Sequence, residues 1–591
     1  MMMSAKLRAP EEPENVQEMR FGEQLRVAGQ SFWASRVRGR VILLSLSLVA
    51  VILLLTYGQL LLNRWNQPFY NALENRDLVA FWQELQNFFL IAAFLLVINV
   101  AQTWFSQTTA LYMREGLARD MVDQWLKGRR AYRLSVSSPL GINPDQRLHE
   151  DARKLAETTT SLTIGLLQST ILLISFISVL WQMSSDFSLT IFGHRIAIPG
   201  YMVWGALLYA GTAALASNLV GATLTRINAD RYAREAEMRA ALMRTNEHLE
   251  PIALARGEAV ELRAIHATID QVLSVIRKLA MGLTNLTWVS ASFGWLALIV
   301  PVLIASPAYF SGTMTFGGLM MAASAFTQVY TALRWYIDNF SAIADWKATL
   351  LRVMTLRSAL TSPQLTQAGS GQIAITTGKP GELAFEDVYI RTPTEAEAQW
   401  GGYHISEKAP VIRAGERVMV NGDPGVNRRQ FFNAMAGLWP YGEGTIVLPE
   451  EDHLLFVPQT PYLPEGRLID ILAYPEEADS YGEAEAIAAL KAVKLSRLGP
   501  DLMKRQRWDR ILDKEEQMSL AFAHILLRKP RWAIFNDVLE GLEPETVKLL
   551  TDVMQDLDGT TLIYLGRSAA FAEAFSPRVL HLERMDVPVP E

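Results

Sequence analysis

Residues 280–333 run for 54 positions without one Asp, Glu, Lys or Arg. A helix crossing the hydrocarbon core of a bilayer needs about 20 apolar residues at ~1.5 Å each. A run of this length therefore crosses twice, and the small and helix-breaking residues of Ser306-Pro307-Ala308-Tyr309-Phe310-Ser311-Gly312 are expected at its turn. The charge-free stretches 41–62, 85–113, 161–185 and 196–225 supply one span each. Six transmembrane helices are expected. A mean hydropathy of +0.12 over 591 residues agrees, because lipid-buried blocks raise an average that polar surfaces otherwise keep lower.

Lys and Arg set the orientation. Residues 1–40, 114–160 and 226–279 hold twenty-five of them, against three in 63–84, 186–195 and 306–313. The N-terminus and the two long connections are thus expected in the cytoplasm, as helices continuing beyond the membrane. Phe21, Leu25, Phe32 and Trp33, set among Glu23, Arg26 and Arg36, suit an elbow helix on the inner leaflet. Residues 1–16, with Pro10, Glu11, Glu12, Pro13 and Glu14, suit a disordered tail. Charges and prolines precede any apolar run, so no cleavable signal peptide is expected.

The composition changes after about residue 360. Thr361 to Gln372 is rich in Ser, Thr, Gln and Gly, as a linker is. Short strand-like runs then alternate with helical ones: Leu383-Ala384-Phe385, Arg417-Val418-Met419-Val420, Leu454-Leu455-Phe456-Val457 and Trp532-Ala533-Ile534-Phe535. That rhythm is an α/β domain. The expected organisation is a tail and elbow helix over 1–40, a six-helix membrane domain over 41–360, a linker over 361–380 and a cytosolic domain over 381–591. The absence of cysteine excludes disulfides, thiolate metal sites and cysteine nucleophiles. A net charge of −6 with no dominant basic patch argues against nucleic acid as a partner.

Six spans with long cytoplasmic extensions, followed by one α/β domain, resemble an ABC half-transporter. Particular residues narrow the resemblance: Asn63-Arg64-Trp65-Asn66, Phe69-Tyr70, Asn75-Arg76-Asp77, Tyr132-Arg133-Leu134, Asn143-Pro144-Asp145-Gln146-Arg147, Glu150-Asp151, Arg256-Gly257-Glu258 and Ala344-Asp345-Trp346-Lys347-Ala348. Together they resemble the SbmA/BacA family of peptide and hydrophilic-solute uptake transporters and, more distantly, the peroxisomal acyl-CoA half-transporters. The resemblance covers roughly residues 20 to 585. It implies an exporter-type ABC fold, a homodimer, a bacterial inner-membrane location and import as the direction. It also implies coupling segments near the cytosolic domains: Asn143, Pro144, Asp145, Gln146, Arg147, Glu150 and Asp151 in one, Arg256 and Glu258 in the other, with Glu235 beside them.

A working P-loop reads Gly-x-x-x-x-Gly-Lys-Ser/Thr between a strand and a helix; its lysine reaches the β/γ-phosphates and its hydroxyl holds Mg²⁺. Here the strand runs into Asn421-Gly422-Asp423-Pro424-Gly425-Val426-Asn427-Arg428-Arg429. Gly422 and Gly425 remain. By the family's register, Asn427 replaces the second glycine, Arg428 the lysine and Arg429 the Mg²⁺ hydroxyl. Gln459 keeps the Q-loop glutamine. Asn536 stands for the metal-holding aspartate, and Asp537 for the glutamate that positions water. In Leu512-Asp513-Lys514-Glu515-Glu516-Gln517, Asp513 replaces the signature serine and Glu515 its glycine; Arg567 takes the switch-histidine place. Arginine meets phosphate but cannot ligate a cation. A carboxylate about 4 Å from a phosphate oxygen costs about 4 kcal/mol near a protein surface. The expectation is a degenerate ABC domain without effective ATPase, with no cofactor required and ATP/Mg binding in doubt.

The leading expectation is therefore a transporter whose cytosolic domains do not burn ATP, with a proton gradient as the alternative source of work. Glu74, Asp77, Glu115, Glu150, Asp151, Glu235 and Asp338 are the candidate proton carriers. An ATP-driven transporter and a non-transporting membrane scaffold or sensor are the other readings. The eight histidines form no HExxH pattern and none has a second ligand at metal spacing, so no metal site is expected.

Overall fold

The structure, a computed structural model, describes residues 20–137, 144–184, 188–191, 194–197, 199–362, 372–393, 400–450 and 454–585. Asn143, the tail and most of the expected linker lie outside them. The chain divides into two units: 19–123 with 143–357, and 124–142 with the chain from 358 onward.

The first unit is helical. α1 (Phe21–Ala34) precedes α2 (Arg38–Glu74) and α3 (Leu78–Leu126). After α4 (Arg130–Ser137), which falls in the other unit, come α5 (Pro144–Gln146), a π-turn over Arg147–Asp151 and α6 (Ala152–Ser184). A hairpin of β1 (Ser188–Ile191) and β2 (His194–Ala197) leads to α7 (Tyr201–Glu247), α8 (Leu249–Leu254) and α9 (Glu258–Phe310). α10 (Phe316–Asp338) and α11 (Phe340–Thr361) finish the unit. Five helices are long and apolar enough to cross a membrane: those at Arg38–Glu74, Leu78–Val136, Pro144–Ser184, Tyr201–Glu247 and Glu258–Phe310. The sixth expected span is α10, whose 23 residues are apolar but interrupted by Ser324, Gln328 and Arg334.

The turn inside the long charge-free run falls later than expected. Pro301 and Pro307 both sit within α9, which continues to Phe310, and the break is Ser311–Thr315 with Gly312 at φ 76°. Proline removes one helical hydrogen bond, yet neighbouring helices make that tolerable in a membrane. Small residues build the helix contacts around α10. Ala322, Ala325, Ala206, Ala210 and Ala213 let backbones approach, while Phe326, Tyr209 and Phe176 fill what remains. Leu43, Leu90, Leu96, Leu208, Leu219 and Leu298 are exposed, as residues facing lipid should be.

The second unit is built on a ten-stranded sheet of order β3-β8-β4-β5-β14-β7-β13-β12-β9. Its strands are β3 (Ala374–Gly378), β4 (Glu382–Pro393), β5 (Trp400–Ile405), β6 (Val411–Arg413), β7 (Arg417–Gly422), β8 (Gly442–Pro449), β9 (Leu454–Val457), β12 (Trp532–Asn536), β13 (Thr561–Leu565) and β14 (Arg578–Met585), with β6 paired to β4. A small ribbon joins β10 (Gly466–Arg467) to β11 (Arg505–Gln506). β9, β12, β13, β7 and β14 are parallel, and β12 and β13 are buried at every position. Alternate side chains feed two cores, as the period of a strand requires. Met419, Ala533, Phe535, Leu562 and Tyr564 face one; Val418, Val420, Trp532, Ile534, Ile563 and Leu565 face the other. The helices are α12 (Arg428–Met435), α13 (Leu468–Ala473), α14 (Glu483–Ala492), α15 (Trp508–Ile511), α16 (Lys514–Arg528), α17 (Pro544–Gln555) and α18 (Ala569–Phe575).

Candidate functional site: the P-loop and its neighbours

β7 ends at Gly422 and α12 starts at Arg428, so residues 423–427 form a loop at the carboxyl edge of a parallel sheet. Ligands bind at such edges in open α/β folds. Gly425 has φ 88°, a conformation that disfavours other residues. Asp423 pins the loop to β14. Its carboxylate accepts from the Arg584 N–H at 3.0 Å and lies 2.9 Å from His581 Nε2. Those two contacts, the Arg584 N–H foremost, hold the Asp423 carboxyl below its usual range.

Arg428 projects from the first turn of α12 onto Asp537, with Nη2 3.4 Å from each carboxylate oxygen. Both side chains are about four-fifths buried. Burial lifts the Asp537 carboxyl above its ordinary range; Arg428 opposes that rise and the neighbouring Glu540 adds to it. Asp537 itself has φ 50°, and its N–H donates to Leu565 O at 2.8 Å. Gly566 is required beside it, since a Cβ there would stand 2.5 Å from Asp537 Oδ1. Arg567 turns the other way and donates to Gly422 O at 2.5 Å.

Asp513 and Glu515 are also engaged internally. Asp513 caps α16 by accepting from the Glu516 N–H at 2.8 Å. Glu515 accepts from the Glu543 N–H and the Thr546 hydroxyl, each at 2.6 Å, at the start of α17. Gln459 is exposed on the loop after β9, and Arg429 is exposed on α12. Asn536 is 5% exposed, and its Oδ1 has no hydrogen-bond partner among the described residues. These side chains do not fit Mg-nucleotide. Arg429 and the Asn536 amide offer no anionic oxygen to a cation. The Asp537 carboxylate already faces the Arg428 guanidinium.

The segment 124–142 contributes a contact within this unit that the sequence motifs did not single out. Gly128 and Arg129, at φ 60° and 65°, break the helix after α3. Arg129 then donates to Ala436 O, and Tyr132 OH accepts from Asn433 Nδ2 at 3.0 Å. The only forewarning was Tyr132 itself, one of the residues carrying the family resemblance.

The other expected coupling and proton residues are dispersed. Asp151 is buried and paired with Arg352, Glu150 with Arg153 at 2.8 Å, Glu235 with Arg231 at 3.5 Å and Glu115 with Arg119 at 3.0 Å. Asp338 meets Arg334 at 2.9 Å, and Glu74 lies 3.5 Å from the Tyr309 hydroxyl. Asp77 accepts from the N–H groups of Val79 and Ala80, capping α3. Pro144, Asp145 and Gln146 make up α5, and Arg147 opens the π-turn. Arg256 has φ 50° in the turn before α9, which Glu258 begins.

Residues 32–310 match the family model described as ABC transporter transmembrane region 2. A bacterial Atm1-family ABC exporter solved with ATP bound superposes with a TM-score of 0.69 at 16% identity, over 91% of this chain and 92% of that one. Residues 32–310 thus resemble the membrane region of ABC transporters, and the chain as a whole resembles the fused membrane and ABC domains of that exporter. It has the exporter-type fold. An uncharacterized ABC transporter ATP-binding protein of Synechocystis is 27% identical to this chain over 84% of its length and 73% of that protein's. The inner membrane ABC transporter ATP-binding protein YddA of Escherichia coli is 26% identical over 90% and 92%.

Proposed function

We propose that this chain is an ABC transporter that works as a homodimer in a bacterial inner membrane, importing peptides or other hydrophilic solutes without hydrolysing ATP. The N-terminus and the ABC domain lie in the cytoplasm, and a proton gradient supplies the work. The observation that carries the reading is the residue set at the P-loop. Phosphoryl transfer relies on Mg²⁺ and positioned charge, and here Arg429, Asn536 and the Arg428–Asp537 pair stand at the positions that would provide both. The likeness to the SbmA/BacA transporters supports the solute class and the direction. YddA, named as an inner-membrane protein, supports the location.

The test uses the purified protein in proteoliposomes. Its phosphate release with Mg-ATP should not exceed that of Asp537→Ala, and uptake of a labelled hydrophilic peptide should stop when a protonophore collapses the gradient at constant ATP. A second reading, ATP-driven transport, draws on the intact ABC sheet and on relatives named as ATP-binding proteins. An ATPase rate clearly above the Asp537→Ala control would establish that reading instead.

A further inference from the structure

We propose that the cavity beside α1 is a binding site for one anionic phospholipid, which places a stretch of acyl chain in the cavity and its headgroup on Arg36 and Arg40. The inference goes beyond the transport reading above and is the same whichever energy source drives the cycle.

The cavity is built by the fold. α1 is pinned at both ends. Towards its C-terminus Ser31 Oγ donates to Asp120 Oδ2 on α3 at 2.6 Å, and Arg357 Nε on α11 donates to the same oxygen at 2.7 Å. At its start Phe21 packs edge-on against Trp346 of α11, with ring centroids 6.2 Å apart. Between these anchors the helix bridges a gap of about 160 Å³, lined by Leu25, Ala28 and Phe32 of α1 and by Tyr112, Leu155 and Leu350 of α3, α6 and α11. The polar groups at its wall are already spent: the Ser31 hydroxyl on Asp120, and Thr159 Oγ1 on Trp346 Nε1 at 2.8 Å. Water therefore finds few partners there. An apolar cavity of roughly 150 Å³ stays dry and takes up benzene, so this one has room for a comparable stretch of hydrocarbon.

Its depth follows from the sequence. The charge-free runs 41–62, 85–113 and 161–185 all begin or end beside it: Val41 and Met113 line the cavity, and so does Thr159, just before the third run. The cavity thus sits at the edge of the hydrocarbon. Trp33, 60% exposed on α1, suits the aromatic belt of that interface.

The headgroup site lies alongside. In Ser35-Arg36-Val37-Arg38-Gly39-Arg40-Val41, arginines are interleaved with the cavity-lining Ser35, Val37 and Val41. Arg40 stands over the Tyr112 ring, 5.5 Å from its centroid, and Arg38 donates to Trp33 O at 2.8 Å. α3 holds this segment closely, since a Cβ at Gly116 would stand 2.6 Å from Ser35 Oγ. All three arginines are exposed, and among the described residues none meets a carboxylate. Other charges near the cavity are paired: Asp120 with Arg357, Glu115 with Arg119 and Lys154 with Asp345. The unmet charge is positive. A lipid tail gains little by leaving the bilayer for another apolar place, so selection falls to the headgroup, and unpaired arginines favour a lipid of net negative charge.

Native mass spectrometry of the detergent-solubilised full chain tests this, with phosphatidylglycerol and phosphatidylcholine of identical chains titrated separately. The wild type should retain one phosphatidylglycerol per chain, about tenfold more tightly than phosphatidylcholine. Arg36→Gln/Arg40→Gln should lose that preference. Arg277→Gln/Lys278→Gln, which removes two exposed charges just before the run 280–333, should keep it. Ala28→Phe, which fills the cavity and leaves the arginines in place, should weaken retention of phosphatidylglycerol about tenfold. A preference that survives Arg36→Gln/Arg40→Gln, or that falls equally in Arg277→Gln/Lys278→Gln, overturns the proposal, and so does unchanged retention in Ala28→Phe. If Ala28→Phe does not fold, a phosphatidylglycerol with a diazirine in one acyl chain decides on the wild type: label concentrated on α1 and on the Tyr112 and Leu350 peptides supports the site, and label concentrated elsewhere overturns it. Neither readout uses ATP or a proton gradient, so a failure here is distinct from a failure of the transport reading.

Discussion

Arg352 grips Asp151 with two parallel hydrogen bonds, Nε to Oδ2 and Nη2 to Oδ1, each 2.9 Å long. The carboxylate is almost fully buried at the end of the π-turn that starts α6, whereas the arginine on α11 stays partly in solvent. This is the bidentate geometry that makes Arg–carboxylate pairs strong. It ties residues 201 positions apart, and Thr349 adds a 3.2 Å contact to the same guanidinium.

Breaking that clamp should therefore cost stability. Asp151→Ala leaves Arg352 partly solvated, so the loss is that of a charge-assisted bond, about 1.5–3 kcal/mol. Arg352→Ala should cost more, because it strands the buried carboxylate. Thermal unfolding of detergent-purified variants checks the order; equal effects would mean that the burial of Asp151 is not what matters.

A pH prediction comes from His524 on α16. Its Nδ1 lies 2.6 Å from Leu472 O, which requires the proton on that nitrogen. Burial pushes the imidazole below its ordinary value of 6.5, with Leu472 O opposing and Arg528 adding to the fall. A depressed folded value means that the unfolded chain takes up the proton first. The contribution of His524 is thus complete above pH 6.5 and is lost as the pH falls through the folded value. His524→Gln should flatten the decline of the thermal midpoint between pH 7 and 5. A midpoint that declines as steeply in the variant would rule this histidine out.

The contact between Tyr132 and Asn433 gives a third outcome. Tyr132→Phe removes the acceptor of a 3.0 Å bond while keeping the ring, so its cost should be about 0.5–1.5 kcal/mol. Hydrogen exchange over α12 should rise locally in Tyr132→Phe and equally in Asn433→Ala. Exchange unchanged in both would mean that segment 124–142 does not brace that helix.

Much of this was legible before any coordinates. Charge-free runs located the helices because lipid leaves no room for unpaired charge, and β7 and β12 stood out as apolar runs because both their faces are buried, whereas β13, equally buried, was not singled out. The turn was expected to start at Ser306 and starts at Ser311, because Pro307 reads as a breaker in water and is tolerated among packed membrane helices. Motif register located Arg428 and Asp537 but not their pairing, which needs the 109-residue separation to close through the sheet. Nor did it show that Glu515 is spent on α17: a substitution names what is lost, and only the fold shows what the new side chain does instead.

The last prediction concerns repairing one station. Asn536→Asp would restore the residue expected of a metal-holding strand end, and on motif grounds alone it should move the protein towards activity. The surroundings argue otherwise. Asn536 is 5% exposed at the end of a fully buried strand, and the next residue is already a carboxylate whose ionised form burial disfavours. Arg428, the cation paired with that carboxylate, is already engaged. A second carboxylate there is a buried charge without a partner, costing about 3–5 kcal/mol, or it takes up a proton and remains neutral. In neither state does it recruit Mg²⁺, since Arg429 still replaces the hydroxyl that would share the ion. Asn536→Asp should lower the thermal midpoint and leave phosphate release at the level of Asp537→Ala. A stable Asn536→Asp protein that hydrolyses ATP above that control would show that a single missing carboxylate, rather than the charge balance of the whole loop, silences the site.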